Sequence, residues 1–230
     1  MERFPALARV RFEIEAAEPL RLPHYPGSAW RGLIGHSLRR TVCVTRQPTC
    51  GGCLLLGTCA YSVFFESPPP DPQTAARYTA LPHPFVLDLD APAQRDCVAG
   101  DDLPLGMTLI GPGIDLLPYL IQALERAGER GLGSRGGRFA LRRVLAEEGL
   151  GSGRWEPVFD PESRAYRRLA ASAPVLTQAV PTEPLQLRFH TPLRIKRHGH
   201  FLGAAEIGPG DLIRHLLARL ASLAVFYGPA

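Results

Sequence analysis

The chain has 230 residues, a net charge of +4, 45% hydrophobic and 21% charged residues. That is enough chain for one large or two small domains, each with its own core, and an ordinary composition for a globular protein. No apolar run is long enough to span a bilayer and MERFPALARVRFEIE lacks a signal-peptide layout, which excludes a membrane span and leads to the expectation of a cytoplasmic protein. Of the 26 basic residues all but Lys196 are arginine, whose planar donor fork suits phosphate. A GC-rich coding sequence yields the same bias, so where the arginines cluster says more than how many there are.

Residues 8–15 alternate, with Val10, Phe12 and Ile14 on one face and Arg9, Arg11, Glu13 and Glu15 on the other, which predicts a half-buried strand. A Pro-rich turn from Leu22 to Gly27 follows, then Ser28 as N-cap of a helix through about Thr41. A cysteine-rich segment and a proline-rich link, Ser67 to Pro72, come next. Phe85 to Leu89 and Leu105 to Ile110 read as strands, Asp115 caps a helix with an apolar stripe (Leu116, Leu117, Leu120, Ile121, Leu124), and Arg138 to Leu145 reads as a further strand. The order βαββαβ predicts an α+β, ferredoxin-like (RRM-type) domain over 1–148, with a four-cysteine insertion at 43–59. The Gly-, Pro- and Ala-rich stretch 149–184 reads as a linker with some local structure. The pattern then restarts over 185–230 with an alternating strand at Leu185 to Phe189, a strand or hairpin arm at Leu193 to Leu202, and a helix from Asp211 to about Phe226. This is the first half of a second, incomplete ferredoxin-like domain.

Four of the five cysteines fall together as Cys43, Cys50, Cys53 and Cys59. In a reducing compartment such clustering favours a metal over disulfides. Cys50-x2-Cys53 has the spacing of a tetrahedral zinc knuckle that Cys43 and Cys59 complete. An iron–sulfur cluster uses the same four thiolates, and an unmetallated loop is the third reading. Four thiolates leave no open coordination position, so the expected role is structural.

Four segments in order, WRGLIGHSLRR with the cysteines after it, GLGSRGGRFAL, LRFHTPLRIKRHGHFL and DLIRHLLARLASLAVFYG, resemble the CRISPR repeat-RNA endoribonucleases of the RAMP superfamily. The resemblance implies two ferredoxin-like domains, binding of CRISPR repeat RNA, and a metal-independent cut leaving a 2′,3′-cyclic phosphate. Members of that family continue into a second glycine-rich loop that this sequence does not reach, so a fragment or a reduced member is expected. Two alternatives are a non-catalytic RAMP-type subunit that holds guide RNA among other CRISPR effector subunits, and a cysteine-cluster metal protein with a protein partner.

Cleavage of that kind needs a proton acceptor for the 2′-hydroxyl, a donor for the leaving oxygen, and cations for the developing charge. His36 with Arg40 or Arg39, helped by Tyr25 or His24, supplies such a set, and His198 and His200 are further candidates. The alternative reading of His36 is a surface histidine beside solvated arginines. Gly32 and Gly35 in the same helix predict that something packs close to its backbone. Six arginines and one acid lie between Arg126 and Arg143, where glycines with Arg135 and Arg138 suit phosphate contact. No Gly-Lys-Ser/Thr follows, which excludes a P-loop. Arg188, Arg194, Lys196 and Arg197, interleaved with Phe189 and Phe201, suit an RNA backbone with stacked bases.

Overall fold

The structure is a computed structural model that describes residues 4–69, 71–78, 81–89, 95–132, 136–172 and 184–229. Strand β1 (Leu7–Ala16) is the centre of the molecule. Its buried side carries Ala8, Val10, Phe12, Ile14 and Ala16, as the alternation requires. A short strand β2 (Leu20–Leu22) leads to helix α1 (Gly27–Val42). Pro26 occupies the N-cap position of α1 and no side chain caps it, so Ser28 lies inside the first turn and not at the cap. The Cys segment and a single π-helical turn (Ser62–Glu66) follow, then helix α2 (Pro72–Arg77), capped by Asp71 through Thr74 N–H at 2.8 Å.

Strands β3 (Phe85–Asp88), β4 (Arg95–Cys97) and β5 (Leu105–Ile110) precede helix α3 (Leu117–Gly128) and strand β6 (Phe139–Glu147). Asp115 does not cap α3, because Leu116 holds the N-cap position and Asp115 pairs with Arg168 at 2.7 Å. With β7 (Trp155–Phe159), five strands form one antiparallel sheet in the order β3–β5–β1–β6–β7, and β2 and β4 pair separately. The first four follow the order of a ferredoxin-like βαββαβ unit, with its first and third strands central and its second and fourth flanking them. Strand β7, inside the stretch expected as linker, adds a fifth strand beside β6.

Helices α1 and α3 pack against each other and cover one face of this sheet. Trp30, Ile34 and Leu38 of α1, all at most 1% exposed, meet Phe12, Leu120 and Leu124 in the core. Trp30 lies edge-on to Phe139 with centroids 5.6 Å apart. Ser37 is buried between the helices and donates to the Ala123 carbonyl at 2.7 Å. Burial of that hydroxyl is tolerated because its one donor is satisfied.

Beyond residue 183, the strand expected at Leu185 to Phe189 is absent and that segment has no regular structure. Within Leu193 to Leu202, where a strand or hairpin arm was expected, a short two-stranded hairpin forms from β8 (Lys196–Arg197) and β9 (His200–Phe201), with His198 and Gly199 at positive φ in its turn. Helix α4 (Pro209–Tyr227) then runs back to the sheet domain. Its C-terminal end is anchored by the Tyr227 hydroxyl donating to the Pro82 carbonyl at 2.6 Å and by Phe226 edge-on to Tyr78. That anchoring sets Arg219 over the segment before β3.

Candidate nucleic-acid interface

Helix α1 divides its side chains cleanly. Trp30, Ile34, Ser37 and Leu38 are buried, while Arg31, His36 and Arg40 are exposed. His36 and Arg40 stand one turn apart on the same face. Tyr25 stands before the first turn, edge-on to His24 at 4.4 Å. The nine residues from Gly27 to His36, at about 1.5 Å each, put the start of the helix roughly 14 Å from His36 along the axis, and Tyr25 precedes that start, so one phosphate does not bridge the two. Arg39 does not face solvent freely: it donates to the carbonyls of Gln47 and Pro48 at 2.7 and 2.6 Å and lies 5.5 Å over the Tyr61 ring. It fastens the cysteine segment to the helix. Of the two helix glycines, Gly35 has a close neighbour, since a Cβ there would meet the Phe65 ring at 3.0 Å, whereas Gly32 has nothing within 4 Å.

The arginines of the sheet domain are largely spoken for. On the face opposite the helices, Arg9 pairs with Asp88 and Glu147, Arg142 with Glu15, and Arg143 with Glu13, at 2.6–3.1 Å. Arg11 stacks over Trp155 at 4.3 Å. Arg138 makes a bond of 2.8 Å to Glu18, while Arg135 lies outside the described residues. The glycines of that loop meet internal demands. A Cβ at Gly137 would fall 2.5 Å from Leu20 Cβ, and Gly131 sits at φ +92° against the Gly136 carbonyl, so close backbone approach requires glycine at both places.

The remaining arginines differ. Among the described residues Arg31, Arg40, Arg188, Arg194, Lys196, Arg214 and Arg219 make no ion pair with a carboxylate, and neither do Arg11, Arg46, Arg126 and Arg130 of the sheet domain. Arg194, just before β8, and Lys196 within it both lie against the Phe201 ring, at 4.2 and 4.6 Å, and Arg197 points away to the buried Asp211 at 3.3 Å. Arg188 is exposed in the irregular segment before the hairpin.

Two of these arginines converge on His83, a residue without any motif around it. A cleft of about 530 Å³ opens between the start of α1, β3, Thr191–Pro192 and α4, with Arg31, Arg219 and His83 on its wall. His83 is half-buried, and its Nε2 lies 2.9 Å from an Arg31 guanidinium nitrogen. Guanidinium has only donors, so Nε2 accepts. The proton therefore sits on Nδ1, which faces the Ser67 hydroxyl at 3.2 Å, and Ser67 donates onward to the Val63 carbonyl at 3.0 Å. Burial, then the charges of Arg31 and Arg219, hold the imidazole below its ordinary range, so it is neutral at pH 7. Arg219 donates to the His83 carbonyl at 3.3 Å, and partial burial lowers its guanidinium. The sequence around His83 gives no signal of this, because Arg31 is 52 residues away and Arg219 is 136.

The four clustered cysteines are half-buried, carry no disulfide, and line one small pocket beneath α1. The Thr45 hydroxyl sits between the sulfurs of Cys43 and Cys53, at 3.9 and 3.7 Å. Burial opposes ionisation of Cys43, but the Arg46 amide, the Thr45 hydroxyl and the Arg39 charge outweigh it and lower its thiol. Burial, then Glu66, raises Cys50. Four thiols on one pocket are the donor set that zinc takes, although no group of three or more His, Cys, Asp or Glu side chains among the described residues is arranged around an ion position. No helix among the described residues is long and apolar enough to cross a membrane.

A family model named AF_1859_N, described as an N-terminal domain, matches residues 4–171, which takes in the whole five-stranded sheet. No curated protein matches the chain. Among solved structures, a chain of the Csm3–Csm4 subcomplex in the type III-A CRISPR-Cas interference complex is similar at 18% identity and a TM-score of 0.41. The match covers 67% of this chain and 88% of that one, and at that score it carries no argument about function.

Proposed function

We propose, for a chain that belongs to the AF_1859_N family through its N-terminal domain at residues 4–171, that it binds RNA with the arginines of α1, the 184–202 segment and α4. One observation carries this reading: on the sheet Arg9, Arg142 and Arg143 are neutralised by carboxylates and Arg11 lies over Trp155, whereas Arg31, Arg40, Arg194, Lys196 and Arg219 are charged, accessible and without a carboxylate partner among the described residues. Keeping cations unpaired costs electrostatic self-repulsion, which a phosphate backbone relieves. The Phe201 ring between Arg194 and Lys196 adds a stacking surface. The motif resemblance specifies the RNA as CRISPR repeat RNA and the setting as a RAMP-type subunit among CRISPR effector subunits. Purified chain and labelled repeat RNA from its own locus test this by anisotropy. Salt-sensitive binding is the expected result, and no binding at low salt contradicts it.

Metal-independent processing of the precursor RNA is the second reading, favoured by His36 and Arg40 on one exposed helix face. His36 would take the 2′-hydroxyl proton and Arg40 would hold the phosphate. Tyr25, at the far end of the helix, has no part in that step. Cleavage in EDTA giving a cyclic phosphate end, lost in His36→Ala, is its test. The four cysteines are proposed as a structural zinc site that fixes the segment Arg39 clasps. Zinc at one equivalent in protein purified without added metal, lost in Cys50→Ser, is the expected result, and metal-free, fully folded protein would overturn it.

A further inference from the structure

We propose that the cleft between α1, β3 and α4 is a nucleotide subsite. Arg31 and Arg219 hold a phosphate against the His83 imidazole, and the adjoining base lies on Tyr25, Leu87 and Leu89. This rests on the RNA reading above and gives it a location. The cleft's volume of about 530 Å³ admits one nucleotide, and its wall combines two cations with an apolar floor. A phosphate needs hydrogen-bond donors in fixed positions, and here both guanidinium groups are already placed through His83, one on its ring and one on its carbonyl.

Binding at this site takes up a proton. In the free protein the Arg31 fork occupies the Nε2 lone pair and His83 is neutral, with its other nitrogen facing Ser67. A phosphate that draws Arg31 onto itself frees Nε2 and places two anionic oxygens beside it. Protonation then becomes favourable, the proton coming from solvent, and imidazolium supplies a third donor to the anion. The other charged or titratable groups that bear on His83 are Glu66 from the π-helical turn and Tyr227 through Ser67 on α4. Asp88 of β3 lines the same cleft but is held by Arg9 at 3.1 Å.

Two measurements test the subsite on the intact chain. The first follows the His83 ring by NMR through a pH titration, alone, with inorganic phosphate and with uridine monophosphate. His83 is expected to titrate at higher pH with the nucleotide, by less with phosphate alone, and not to respond to either in Arg31→Gln, whose exposed position leaves folding intact. An unchanged titration overturns the site, and an equal response to phosphate and nucleotide overturns the base-binding floor. The second measures binding of a short single-stranded RNA at pH 5.5 and 7.5 for wild type, Arg219→Gln and His83→Gln. Wild type is expected to bind more tightly at the lower pH, by at most about tenfold if the bound imidazole holds its proton tenfold more tightly, and His83→Gln to show a smaller pH difference than wild type. Salt-sensitive RNA binding that is untouched by Arg31→Gln and Arg219→Gln removes the subsite and leaves the RNA reading standing. A nucleotide response of His83 with no RNA binding does the reverse.

Discussion

The arginines on the open face of the sheet and those around the α1–α4 cleft have opposite surroundings. On the sheet, Arg143 sits in register with Glu13, Arg142 reaches Glu15 from the bulge between β1 and β6, and Arg9 meets Glu147, so their charge is consumed in cross-strand pairs. At the cleft, Arg31 contacts a neutral imidazole and lies 5.7 Å over the Phe65 ring, and Arg219 contacts a carbonyl oxygen. The first arrangement gives register to a sheet, and it leaves little field to attract an anion. The second stabilises nothing in the fold that a neutral donor would not, and it holds two donors ready. If the chain binds RNA as proposed, the paired sheet surface offers it less free charge than the α1–α4 cleft does.

Four measurements sharpen or break this contrast. The largest effect is expected from neighbouring positions on α1. Trp30→Ala empties a core position against Phe139 and should destabilise the fold by about 3–5 kcal/mol in urea unfolding, whereas Arg31→Gln should leave the midpoint in place. Next is salt: with about four phosphate contacts the affinity for single-stranded RNA should fall several hundredfold over a tenfold rise in salt, and a flat response would end the electrostatic account. Acid should act on the sheet. Burial opposes ionisation of Glu147, but the amides of Gly153 and Gly151 and the Arg9 charge outweigh it and lower its carboxyl. Stability from that pair is present above the ordinary carboxylate range near pH ~4.3 and lost as pH falls through the lower folded value, so Glu147→Gln should flatten the acid limb of a stability–pH profile. The smallest effect is expected from Glu13→Gln, which frees Arg143. Stability should barely move, and RNA binding at low salt should strengthen slightly if pairing is what keeps the sheet silent.

Much of the fold was legible in local sequence, because its signals are local. The alternation of β1 marks its buried face residue by residue, and β5 begins and ends at the predicted Leu105 and Ile110. Strand β7 was hidden in a Gly-rich stretch and carries Pro157, which reads as a strand breaker. It is tolerated because β7 is an edge strand, where one N–H faces no partner. The strand expected at Leu185 to Phe189 failed for the converse reason, since alternation without a neighbouring strand leaves its backbone groups to water. At the site, His36 and Arg40 were visible as one helix face. His83 was not, since it lies in a short irregular segment between two prolines and its meaning comes from arginines distant in the chain.

The central claim is that unpaired arginines, and not paired ones, meet the nucleic acid. The direct measurement is RNA affinity at low salt for two double variants, Arg31→Gln with Arg219→Gln and Arg142→Gln with Arg143→Gln. The two remove equal charge from the chain. The account predicts a loss of at least about tenfold in the first and near wild-type binding in the second, each removed phosphate contact being worth roughly 1 kcal/mol or more. Equal losses in both, or a larger loss from the sheet pair, would contradict it.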